Sequence, residues 1–107
     1  MNDPSEIEIV TRDYWLKIVD FLQQNWALID EDAIGGINVF FLSDTSGVFD
    51  RMTFGSRLEA ETALNRNGFG RYSEDKDSQT LISAPKPPFY VRAHPNGPIY
   101  SSGRFWK

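Results

Sequence analysis

The chain has 107 residues, of which 40% are hydrophobic, 24% charged and 14% aromatic, with no cysteine, one histidine and a formal net charge of −4. That length fits one domain, residues 1–107, with a modest core, and the composition excludes an extensively disordered chain. The cysteine and histidine counts exclude disulfides, thiolate zinc sites and multi-histidine metal centres.

The charges are sorted along the sequence. Residues 1–77 hold seven basic and all fifteen acidic residues, a net of −8, whereas residues 78–107 hold Lys86, Arg92, Arg104 and Lys107 with no acid, a net of +4. Such a split bears on partners and association rather than on fold. The isoelectric point near 4.8 disfavours nonspecific binding to nucleic acid or anionic lipid, because phosphate contacts require cationic neutralisation. The start, Met1-Asn2-Asp3-Pro4-Ser5-Glu6, is polar and acidic, unlike a secretory signal. The apolar run Val39 to Leu42 is far shorter than the roughly 20 residues of a membrane-spanning helix. A soluble, cytoplasmic protein is the resulting expectation.

In chain order, Glu6-Ile7-Glu8-Ile9-Val10 alternates as a half-buried strand does. Thr11 then offers an N-cap hydroxyl, and Trp15, Ile18, Val19, Leu22 and Trp26 recur at helical spacing, which predicts a helix over 12–27. Asp30-Glu31-Asp32 would then follow a helix C-terminus, where the macrodipole favours cations. Gly35-Gly36 breaks the chain. Ile37 to Leu42 reads as a buried strand, Ser43 to Gly47 as a turn and Val48 to Phe54 as the antiparallel return, together a hairpin.

Ser56-Arg57-Leu58-Glu59 is a capping box, and Asn67-Gly68-Phe69 is a stop with a left-handed glycine, predicting a helix over 57–67. Arg71 to Gln79 reads as a polar loop after a short strand, and Thr80 to Ser83 as a further strand. Pro85-Lys86-Pro87-Pro88 forces a stiff, extended connection, after which Phe89 to Ala93 is a strand and His94 to Pro98 turns into Ile99 to Ser102. Gly103 to Lys107 is an edge strand or a free end. The whole predicts an α+β fold: a mainly antiparallel sheet of four to six short strands with two helices packed on one face.

No catalytic set emerges. His94 sits in a turn that backbone chemistry explains, and no nucleophile elbow surrounds Ser101 or Ser102. Asp44 with Asp50, and the acids at 30–32 and 74–77, lie in polar sequence rather than in the apolar setting that raises a catalytic carboxyl. No phosphate loop or EF-hand spacing occurs. The sequence therefore leans away from an enzyme, an enzyme centred on His94 being the third and least favoured reading, and implies no metal or cofactor.

Two binding readings remain. In the first, Asp30, Glu31, Asp32, Glu74, Asp75 and Asp77 meet a basic partner protein, with Tyr72 or Trp106 as the aromatic anchor that hot spots favour. In size, acidity and α+β mix the chain is similar in type to small bacterial immunity proteins and antitoxins, an analogy that carries no site residues. In the second, the segment bearing Phe89, Arg92, Tyr100, Arg104, Phe105 and Trp106 binds single-stranded nucleic acid, its rings stacking on bases and its cations meeting phosphate. The bland alternatives are surface solubility for the acids, and core packing with intramolecular neutralisation for the basic segment. Docking of the basic tail on the acidic region of a second copy is a further expectation.

Overall fold

The structure, a computed structural model, describes residues 6–19, 23–32 and 34–92. Its centre is a meander: β2 (Trp15–Val19), β3 (Gln23–Glu31), β4 (Ile37–Leu42) and β5 (Gly47–Phe54) pair in succession, each antiparallel to the last. β1 (Glu6–Ile7), β6 (Gly70–Arg71) and β7 (Phe89–Val91) complete a seven-stranded sheet in the order β1-β7-β5-β4-β3-β2-β6. β7 runs parallel to β5, with Gly47 opposite Tyr90 and Val48 opposite Val91. The sheet is thus mixed and larger than the four to six antiparallel strands expected. The parallel pair arises because the chain leaves β5, crosses through α1 (Arg57–Arg66), β6 and α2 (Lys76–Leu81), and returns beside β5.

The helix expected over 12–27 is instead the β2–β3 hairpin. Trp15 and Trp26, which a helix would place on one face, lie on opposite faces of the sheet, and Ile18 is 40% exposed. The reason lies in Trp26-Ala27-Leu28-Ile29, all 0–1% exposed: a strand covered on both sides needs apolar residues at consecutive positions, and so loses the alternation that marks a strand. Thr11 makes a local turn, its hydroxyl accepting from Asp13 N at 3.2 Å, rather than capping a helix.

Two cores result, one on each side. Leu16, Trp26, Leu28, Phe40, Leu42 and Val48 face one side, where Ile9, Tyr14 and Phe89 cover them. Trp15, Ala27, Ile29, Val39 and Phe41 face the other, beneath Ala60 and Leu64 of α1 and Phe69 just beyond it. Full burial of such side chains contributes about 1.5–3 kcal/mol each. A register shift at Phe41/Leu42 lets β5 serve both, Val48 packing on the first face and Met52 and Phe54 on the second. The two helices do not share a face: α1 seals the second core, whereas α2 buries no residue and its flanking Tyr72 and Ile82 pack against the first.

The hairpin over 37–54 and the bracketed helix appear as read. Ser56 Oγ accepts from Glu59 N at 3.1 Å, while Glu59 Oε2 accepts from Gly55 N at 3.2 Å, one residue earlier than a standard capping box. At the other end Gly68 takes φ +92° and Phe69 N donates to Leu64 O at 2.9 Å, closing the helix. The strand expected at Thr80 to Ser83 is not formed. Asp75 caps α2, so Thr80 and Leu81 are its last residues and only Ile82 returns to extended backbone. Among the described residues no helix is long and apolar enough to cross a membrane.

Candidate partner-binding surface

The first acidic group lies at the β3–β4 turn, not after a helix, so the macrodipole conflict read from the sequence does not arise. Asp30 and Glu31 end β3, and Asp32 builds the turn: its Oδ1 accepts from Ile34 N at 3.0 Å and Gly36 N at 2.8 Å, and its Oδ2 from Asn38 Nδ2 at 3.4 Å. These bonds, the Gly36 one foremost, hold the Asp32 carboxyl below the usual carboxylate range, so it stays charged. A Cβ at Gly36 would lie 2.6 Å from Asp32 Oδ2, so a side chain there would push the carboxylate out of its present position. Asp30 pins the N-terminal segment, its Oδ2 accepting from Val10 N at 2.8 Å. Glu31 and Asp32 are exposed, and beside them Ile34 stands 93% exposed.

The second group lies on the opposite flank of β2. Glu74 ends a 3-10 turn, Tyr72–Glu74, Asp75 caps α2, and Asp77 occupies its first turn. Asp75 accepts from Ser78 Oγ at 2.7 Å and Ser78 N at 3.1 Å, and the hydroxyl bond foremost lowers its carboxyl. In the sheet order β2 separates β3 from β6, the strand that leads into this group. The six acids therefore form two separate groups, exposed but for the half-buried Asp30, rather than one continuous patch.

Of the anchors named from sequence, Tyr72 is half-buried and packs against the first core. Its ring packs edge-on to Trp26 at 5.0 Å, Tyr14 meets the same indole at 5.7 Å, and the Tyr72 hydroxyl donates to Ile82 O. Tyr14 is built likewise, donating to Pro85 O at 2.5 Å; burial pushes its phenol up, against a smaller opposing pull from Arg12. Phe89, proposed for base stacking, is 1% exposed with the Arg12 guanidinium over its ring, so it offers no face to a base. Arg92 is exposed, its guanidinium 5.1 Å from the Tyr90 ring centroid. Tyr100, Arg104, Phe105 and Trp106 lie outside the described residues, as do His94, Ser101 and Ser102.

Arg71 joins three acids. Its guanidinium meets Glu61 at 2.7 Å, Asp13 at 3.9 Å and Glu74 at 4.0 Å, and lies over the Trp15 ring at 5.1 Å. Only the Glu74 partner, three residues on, was visible in the sequence. Among the described residues no group of three or more His, Asp or Glu side chains is placed to hold a metal ion. No family model, no curated protein and no solved structure matches this chain.

Proposed function

We propose that this chain is a non-enzymatic acidic binding module that neutralises a basic partner protein, such as a toxin or nuclease, in the manner of an inhibitor, immunity protein or antitoxin. The observation that supports it most is the pair of exposed carboxylate groups, each organised around an aspartate that hydrogen bonds keep ionised: Asp32 with Asp30 and Glu31, and Asp75 with Glu74 and Asp77. Two groups of like charge on the surface steer the encounter with a basic partner.

Within each group the labour is divided. Asp30, Asp32 and Asp75 fix the local backbone. Glu31 and Asp77 are exposed, and Glu74 has only a 4.0 Å approach to Arg71. Contact with the partner falls mainly to these three. The test is recovery of the tagged chain from its own cell lysate at low and moderate salt, with nuclease treatment, followed by rebinding of the purified candidate. A basic protein that rebinds one-to-one after nuclease treatment supports the reading. Retention of nucleic acid alone, lost on nuclease treatment, overturns it in favour of the basic aromatic segment.

A further inference from the structure

We propose that Asn67–Gly68 is a spontaneous modification site, a succinimide-forming pair whose reaction is gated by the last turn of α1. An asparagine followed by glycine is chemically labile because no side chain on the glycine hinders attack by its own backbone nitrogen, and because glycine lets the chain bend into the ring. In the reaction hydroxide removes the Gly68 amide proton and the nitrogen attacks Cγ of Asn67. The N–Cγ bond forms, and the Cγ–Nδ2 bond breaks as Nδ2 takes a proton from the water just made, so ammonia leaves and hydroxide is regenerated. One water then opens the ring at either carbonyl, giving an aspartyl or an isoaspartyl link. The net change consumes one water and releases one ammonia.

The folded geometry opposes each part of this. Asn67 is the C-cap of α1 with ψ 16°, which holds the Gly68 nitrogen nearly eclipsed with Asn67's own nitrogen, whereas the ring needs it eclipsed with Cβ. The leaving amide is engaged, Asn67 Nδ2 donating to Ala63 O at 2.8 Å. The attacking nitrogen is engaged too, Gly68 N donating to Asn65 O at 3.2 Å. Turning ψ far enough also breaks the closure between Phe69 N and Leu64 O, 2.9 Å. Yet Gly68 is exposed to water and base. Fraying of one helical turn therefore suffices to release the pair. The product would loosen what the turn holds: an isoaspartyl link adds a methylene to the backbone just before Phe69, which is 2% exposed and packs edge-on to Phe41 at 5.9 Å. Either product puts a carboxylate at a helix C-terminus, the unfavourable end of the dipole.

The test incubates the full chain at mildly alkaline pH, folded in buffer and unfolded in urea, and follows Asn67 by peptide mapping. The map resolves it from Asn96-Gly97, which lies outside the described residues. Asn67 should convert in urea and be at least about tenfold slower in the folded chain, the factor set by opening of a terminal turn. Phe69→Leu, which loosens the packing that closes the last turn and leaves the reacting pair intact, should speed the folded-state reaction, and an unchanged rate would overturn the gating. Equal rates in the folded and unfolded chain would overturn the gating, and no conversion of Asn67 in urea would overturn the site.

Discussion

Asp32 accepts hydrogen bonds within its own turn while remaining an exposed charge, and an acid-stability expectation follows from it. Because the folded-state carboxyls of Asp32 and Asp75 titrate below the ordinary value of about 3.9, their stabilisation is complete above that value and lost as pH falls through the folded-state values. Acid unfolding of Asp32→Asn should therefore show a shallower loss over that window than the parent chain, measured by tryptophan fluorescence against pH; an unchanged acid limb would contradict the turn geometry. The Tyr14 hydroxyl gives a separate case. Tyr14→Phe leaves the buried Pro85 carbonyl without its donor, which should cost about 1–3 kcal/mol in urea unfolding. Pro85 lies 71 residues from Tyr14, so the bond is not legible in the sequence, whereas the Asp32 turn is half legible from Gly35-Gly36.

Elements were legible where their signals are local. The helix α1 carries its own start and stop, Ser56 and Gly68, and the β4–β5 hairpin carries its own turn. Replacing Ser56 with Ala should cost about 1 kcal/mol, read as a lower urea midpoint with unchanged slope. The β2–β3 hairpin was misread because Trp26 to Ile29 is buried from both sides, and sequence spacing cannot separate a doubly covered strand from a buried helix. Its two-sided burial is itself testable. Leu28→Ala opens the core shared with Tyr14 and Phe89, and Leu64→Ala the core shared with Trp15 and Phe41, so each should cost about 2–5 kcal/mol and the two should combine nearly additively in urea unfolding. Strong coupling between them would mean that one core, not two, holds the sheet. The helix α2 escaped notice because its cap, Asp75, sits within a run of charges that reads equally well as a solvated loop.

For the whole molecule, the acidic bias of residues 1–77 and its two clusters are plain in the sequence, but their placement on opposite flanks of β2 is not, because it depends on β2 lying between β3 and β6. The sequence presents the six acids alike; in the fold Asp30, Asp32 and Asp75 bond to backbone, while Glu31, Glu74 and Asp77 stand exposed and are the contacts under the proposed function. The most direct test of an acidic neutralising module uses the second kind. Glu31, Glu74 and Asp77 are each replaced with Lys, Asp30, Asp32 and Asp75 are kept, and folding is checked by circular dichroism. The association rate with the purified basic partner is then measured across a salt series. Electrostatic steering predicts association at low salt about tenfold or more slower for the triple variant, the gap closing as salt rises. An association rate equal to the parent's at every salt concentration would contradict the proposed role of these carboxylates.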